Sequence, residues 1–267
     1  MPVHDEIGKR MKHNYEEISK TRLTRRIPVA IRLDGKSFHS FCRNFQKPFD
    51  EILIKSMQAT TQYLCKNIQG CVFGYCQSDE ITLILIDYTK LTSEAYFDYE
   101  VQKICSITAS MCTLAFNRYF AQFYDLWTPE ELELDKFKEL CEIYENAINK
   151  GAMFDSRCFN IPKEEVCNLI YWRQLDATRN SIQMVGQTYF SQKELHGLSC
   201  KQIQEKLFSE KGINWNDFPI YQKRGTAVYK DPDNGWIIDK NMPILKKTND
   251  IDYTYYVNKW IYKGEEL

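Results

Sequence analysis

The sequence predicts an α+β fold: a ferredoxin-like split βαβ sheet with helical additions and a small C-terminal region. Three observations predict it. Over the first 160 residues, apolar runs and helix-periodic stretches follow the order strand, helix, strand, strand, helix, strand. The second and third strands are joined only through Ser78-Asp79-Glu80, a spacing that suits an antiparallel hairpin. Hydrophobic residues make up 43% of 267, enough to build a core and to exclude global disorder.

The elements follow in order. Residues 1–26 read as a basic helix with a net charge of +3. Such a segment is either a solvated face or a phosphate-facing arm. Ile27 to Leu33 is a β-branched apolar run that ends at the turn signal Asp34-Gly35. Asp50 is placed to cap a helix in which Leu53, Met57 and Leu64 recur at helical spacing, and Gly70 closes it. Cys71 to Gln77 and Ile81 to Asp87 are the hairpin strands. Ser93 is read as the start of a long helix whose apolar stripe runs from Val101 to Tyr119, as core or oligomer interface. Residues 125–150 carry a net charge of −5 and read as an exposed helical excursion. Met153 to Ile161 is the fourth strand, stopped by Pro162. Helices are expected over 163–187 and 199–210, with short strands near 226–230 and 236–239. Two intimate units are expected: residues 1–161 as a catalytic domain with its basic helix, and residues 162–267 packed on it. The strand order is also the palm layout of many polymerases and nucleotidyl cyclases, but layout alone does not establish function.

Composition narrows the field. The net charge is −1, so any nucleic-acid contact must come from a local patch. Ten cysteines occur without a CxxC, and the four histidines have no metal spacing, which argues against zinc. The N-terminus lacks a signal-peptide core, and no apolar run can span a bilayer. The expectation is a cytoplasmic protein with free thiols, most of them acting as small core hydrophobes.

The chemistry centres on two acidic positions. Asp34 ends the first strand, and Asp79 and Glu80 occupy the hairpin. In a split βαβ sheet the first and third strands are neighbours, so these carboxylates approach one another. Two carboxylates about 4 Å apart repel by roughly 4 kcal/mol at an effective dielectric near 20. Either one is protonated or a divalent cation sits between them. Magnesium suits an all-oxygen site, and an ion pair of that kind serves phosphoryl or nucleotidyl transfer. The alternative is that Asp34 caps a turn and Ser78-Asp79-Glu80 is a solvated hairpin tip. Gly35, Lys36 and Ser37 allow close backbone approach to a triphosphate. Lys47 is either a phosphate clamp or a solvated loop lysine.

IRLDGKSFHSF, FQKPFD and GYCQSDEITLIL resemble the tRNA-His guanylyltransferase superfamily. FDSR at 154–157, YWRQLDA at 171–177, and GINWNDFP followed by RGTAVYK at 212–230 continue the pattern in family order. The resemblance implies a polymerase-like palm that adds nucleotides in the 3′-to-5′ direction at the 5′ end of tRNA. It implies two Mg2+ ions held by Asp34, the Gly35 carbonyl and Asp79, with Asp34 and Asp79 as the catalytic residues. It places the nucleotide on Asp34, Gly35, Lys36, Ser37, Phe38 and His39, with Ser78 and Asp79. Lys47 and Lys103 map to triphosphate contacts. GTP and ATP are the implied substrates, tRNA the partner, and a homotetramer the expected assembly.

One departure bears on specificity. Eukaryotic members carry His-Ile-Asn-Asn where this chain has Thr178, Arg179, Asn180 and Ser181. That directs the expectation towards the guanylyltransferase-like proteins, which repair 5′-truncated tRNA by templated addition. The arginine pair expected before Lys103 is also missing, with Tyr99 and Glu100 in its place. The alternatives are a dedicated tRNA-His guanylyltransferase, a non-catalytic RNA-binding relative and a cyclase-like palm acting on free nucleotide. Arg173 and Arg157 are read either as RNA or phosphate contacts or as intramolecular pairs. Lys223, Arg224, Lys246 and Lys247 are either a tRNA-facing patch or solvated charges.

Overall fold

The computed structural model describes residues 6–129 and 132–246. Strands β1 (Val29–Gly35), β2 (Cys71–Gln77), β3 (Glu80–Leu85) and β4 (Phe154–Asn160) form the centre of a six-stranded sheet. Strands β5 (Thr226–Asp231) and β6 (Gly235–Asp239) extend it, and the order is β4-β1-β3-β2-β5-β6 with every neighbour antiparallel. The first four strands have the split βαβ order that the sequence predicts, with β3 inserted between β1 and β2. The C-terminal strands are not a separate small layer: β5 pairs directly with β2.

The helices are α1 (Glu6–Met11), α2 (Phe38–Phe41), α3 (Glu51–Asn67), α4 (Val101–Asp125), α5 (Leu134–Lys150), α6 (Val166–Tyr189), α7 (Gln192–Leu195), α8 (Cys200–Lys211) and α9 (Ile220–Arg224). Asp50 caps α3, its Oδ1 accepting the Leu53 N–H at 2.8 Å. Strand alternation separates two faces. Val29, Ile31 and Leu33 point to the core built with α3 and α4. Ala30, Phe73, Tyr75 and Ile84 point to the core built with α6. Arg32 and Asp34 share the parity of Ala30 and therefore lie on the α6 face. An aromatic cluster of Phe38, Phe41, Phe45, Phe116, Phe120 and Phe154 anchors the loop after β1. Each such buried ring contributes roughly 1.5–3 kcal/mol.

Three expectations need correction. The long helix begins at Val101 rather than Ser93. A 3-10 turn precedes it, Tyr96–Tyr99, in which Phe97, Asp98 and Tyr99 have positive φ. The chain is held there by tertiary bonds: Leu23 N–H donates to the Tyr99 carbonyl and Val101 N–H to that of Thr21. Those same bonds end the N-terminal helical segment at Ser19 and leave 20–26 non-helical. Residues 125–150 are not a free excursion either. Acidic residues of α5 face out, but Leu140, Tyr144 and Ala147 are buried, and the Tyr144 hydroxyl donates to Asp50 Oδ2 at 2.6 Å.

All ten cysteines are free thiols. No helix among the described residues is long and apolar enough to cross a membrane.

Candidate active site

The site forms where β1 ends and the β2–β3 hairpin turns. Asp34 is in register with Glu80 across the sheet and with Asp155 on the other side. The Gly35 N–H donates to the Asp79 carbonyl at 3.2 Å, which ties the β1 end to the hairpin. Ser78 takes a positive φ of 49°, and its hydroxyl donates to Asp79 Oδ1 at 3.0 Å. Residues 34 and 79, forty-five positions apart, are thus brought together.

The electrostatics distinguish three carboxylates. Asp79 is pushed up to about 6, chiefly by burial; the Ser78 hydrogen bond opposes the rise, and the charges of Asp34 and Glu80 add to it. Asp34 is also raised, by burial first and then by Glu80 and Asp155, with Arg157 and Arg32 pulling the other way. Glu80 is different. It accepts from Arg32 Nη2 at 2.5 Å, from Gln77 Nε2 at 2.5 Å, and from Arg173. Its charge is compensated inside the fold. Asp34 and Asp79 have no ion pair among the described residues.

Two carboxylates without a cationic partner, next to a backbone carbonyl, make an oxygen donor set suited to a hard divalent cation. Among the described residues no three His, Cys, Asp or Glu side chains converge as a metal-ligating group. Glu80 is bound to Arg32 and Arg173 instead.

The nucleotide-binding candidates are distributed unevenly. Gly35 is required where it stands: a Cβ there would lie 2.1 Å from Phe38 Cδ2. Lys36 is exposed, and its N–H donates to the Met153 carbonyl at 2.8 Å. Ser37 adopts the left-handed conformation that starts α2. The Phe38 ring is in the core, so only its backbone faces a ligand. His39 is exposed, its Nε2 3.1 Å from the Ser40 hydroxyl; it is not packed beneath the loop. Lys47 is exposed on the loop before α3 and lines a groove with Gln46, Lys136 and Glu139. Lys103 lies in the first turn of α4 with Nζ 4.9 Å from the Phe97 ring centroid. That helix packs on the opposite sheet face from Asp34 and meets the Asp34 end of β4 ten residues later, where Thr113 accepts from Phe154 N–H. Within one chain, Lys103 is not brought to the carboxylates.

Several ambiguous residues are now placed. Arg173 is buried and pairs with Glu80 and, at 2.7 Å, with Asp176. Arg157 pairs with Asp155 at 2.9 Å. Lys223 is buried; its Nζ donates to the Asn216 carbonyl at 2.5 Å, so it is not part of an exposed patch. Lys246 is exposed, and Lys247 lies outside the described residues. At the departed motif, Arg179 and Asn180 hold Asp176, and the Ser181 hydroxyl accepts from Trp215 Nε1 at 3.2 Å. A cavity of about 90 Å3 beside Ser78 is lined by Phe49, Asp50, Gln77, Asn180 and Ser181 among others. Sequence reasoning passed over this cavity. Its only signal was that FQKPFD, QSDE and the 177–181 stretch all belong to one motif series.

The fold and the site together define a class: a split βαβ sheet of the polymerase-palm type, with Asp34 and Asp79 brought together where β1 ends and the β2–β3 hairpin turns. Comparison with known proteins narrows this. Residues 8–162 match the model of the Thg1, tRNAHis guanylyltransferase, family. The tRNA(His) guanylyltransferase of Saccharomyces cerevisiae is 31% identical over 214 residues, covering 75% of this chain and 81% of that protein. A bacterial tRNA(His) guanylyltransferase-like protein solved in complex with ATP is 38% identical. It superposes with a TM-score of 0.80, covering 96% of this chain and 100% of that one. A bacterial tRNA(His) guanylyltransferase-like protein solved with GTP gives 36% identity and a TM-score of 0.71, with coverages of 90% and 94%. This chain belongs to the tRNAHis guanylyltransferase family and is a nucleotidyltransferase.

Proposed function

We propose that this nucleotidyltransferase adds nucleotides to the 5′ end of tRNA in the 3′-to-5′ direction, and that it works in templated repair of 5′-truncated tRNA. The observation that carries the reading is the approach of Asp34 and Asp79 at the β1–β3 junction, neither of them in an ion pair among the described residues. The residues fit magnesium: Asp34, Asp79 and the Gly35 carbonyl would hold the ions. When bound, such ions supply charge neutralisation at the phosphates. The chain's own residues do the rest. The backbone after Gly35 approaches the triphosphate, with Lys36, Ser37 and His39 exposed around it. Transfer of this kind needs positioning and charge stabilisation more than a side-chain nucleophile.

ATP and GTP are the substrates on this reading, supported by the ligands of the two bacterial relatives. Repair, rather than dedicated guanosine addition to tRNA-His, is supported by residues 178–181. Of His-Ile-Asn-Asn only the asparagine at 180 is kept; Arg179 and Asn180 are occupied with Asp176, and Ser181 with Trp215. On this reading residues 1–161 are the catalytic domain, and the described residues from 162 to 246 pack on it. The enzyme acts as a homotetramer in the cytoplasm. Exposed apolar residues on the N-terminal segment, Ile7, Tyr15 and Ile18, and on α4, Leu114, support assembly.

The deciding experiment supplies a tRNA lacking its first 5′ nucleotide with magnesium and all four nucleotides, beside a panel of full-length tRNAs. Templated extension independent of the anticodon is expected. Absence of extension from the truncated tRNA ends the repair reading, and strict dependence on the His anticodon favours the dedicated enzyme.

A further inference from the structure

Trp172 is 50% exposed in the N-terminal third of α6, although Leu169, Ile170 and Arg173 beside it are buried. It belongs to none of the three hydrophobic clusters described. Its neighbours are charged instead. The Arg32 guanidinium lies 5.1 Å from the indole centroid and that of Arg173 lies 4.4 Å away. The same two guanidinium groups hold Glu80, the residue next to Asp79. The ring is therefore held beside the carboxylate site by groups that orient it without burying it.

Strand β4 adds to this surface. Register places Arg157 opposite Arg32 and Asp155 opposite Asp34, on the same sheet face by alternation. Arg157 is 52% exposed on an edge strand, and its partner Asp155 is equally open. An ion pair that open exchanges readily for another anion. A fixed, exposed aromatic face with a solvent-facing guanidinium nearby is the arrangement that binds unpaired nucleic acid: the base stacks and the phosphate pairs. Because the indole is already oriented, stacking does not have to order it. Trp172 also lies outside the cavity beside Ser78, which α6 lines further along with Ala177, Asn180 and Ser181.

We propose that Trp172 is a stacking platform for a nucleobase of the RNA strand being extended, with Arg157 taking a backbone phosphate. The inference rests on the reading of the site as an RNA 5′-end nucleotidyltransferase.

The test uses the full chain. Binding of a labelled RNA hairpin that mimics a 5′-truncated acceptor stem is measured for wild type, Trp172→Ala, Trp172→Phe and Arg157→Gln, and ATP binding is measured in parallel. Trp172→Ala is expected to weaken RNA binding about tenfold or more while ATP affinity holds. Trp172→Phe is expected to recover most of the loss, because stacking needs a ring. Arg157→Gln is expected to weaken RNA binding and reduce its salt dependence. Any of four results overturns the proposal: unchanged RNA affinity in Trp172→Ala, equal loss of RNA and ATP binding, loss confined to ATP, or a change of oligomeric state that accounts for the RNA defect. If wild type itself extends no RNA 5′ end, the functional reading fails. If wild type extends RNA and Trp172→Ala binds it normally, only this inference fails.

Discussion

Arg32 and Glu80 meet at 2.5 Å diagonally across β1 and β3, one residue from the Asp79 carboxylate. With Arg173 on the other oxygen, Glu80 is held between two largely buried guanidinium groups. Glu80 is thereby taken up inside the fold, whereas Asp79 has no ion pair among the described residues.

Replacing Glu80→Gln leaves both arginines without their shared anion. Removing one partner of a buried pair costs about 3 kcal/mol. Urea denaturation should show a loss of that size, and nucleotide addition should fall at least tenfold because the hairpin loses its tether. Asp155→Asn, in a pair exposed on both sides, should change stability by less than about 1 kcal/mol. A Glu80→Gln protein as stable as wild type would contradict the tether.

Asp79 lowers stability at neutral pH. Its folded pKa of about 6 exceeds the ordinary 3.8, so the folded state holds this proton more tightly than the unfolded chain. Stability from this group is fully present below the unfolded pKa and is lost as pH rises through about 6. In chelator, Asp79→Asn should therefore be more stable than wild type at pH 7–8, by up to about 3 kcal/mol, and the gain should shrink towards pH 4. The same variant should lose nucleotide addition, a trade of stability against function. Melting curves across pH 4–8 check both signs.

Gly35→Ala should destabilise the protein by about 2 kcal/mol and abolish activity. The added Cβ meets the Phe38 ring, which cannot withdraw from its contacts with Phe41, Phe116 and Phe154. Denaturation and nucleotide-binding measurements on one preparation would show both losses.

Ser181→Ala removes the acceptor of the buried Trp215 N–H. The expected cost is about 1–2 kcal/mol, with 5′ extension largely retained at temperatures where the variant is folded. A selective loss of extension without loss of stability would give this position a direct part in substrate binding.

Much of the fold was legible because its signals are local. β-branched runs, the short hairpin connection, which the structure tightens from three residues to Ser78-Asp79, and Asp50 as a helix cap each act over a few residues. The start of α4 was not legible. Its placement depends on bonds to residues 21–23, roughly eighty positions away in the chain, and these override a permissive helical pattern. Lys103 matched a family position, yet periodicity could not tell that α4 covers the sheet face opposite Asp34. Sequence left Arg173 open between an RNA contact and an intramolecular pair, and Lys223 between a patch and a solvated charge; both are buried, Arg173 on Glu80 from a distant element.

From the sequence alone came the strand and helix order, the hairpin, the two carboxylates and the family resemblance that joins them. Only the tertiary structure decided that β5 and β6 extend the main sheet, that Glu80 is bound by Arg32 and Arg173 while Asp34 and Asp79 have no ion pair among the described residues, and that Trp172 stays open beside Arg32 and Arg173. The physical reason is range. Propensity and turn chemistry are properties of neighbouring residues, whereas the protonation and availability of a carboxylate depend on which distant charges packing brings within a few ångströms of it.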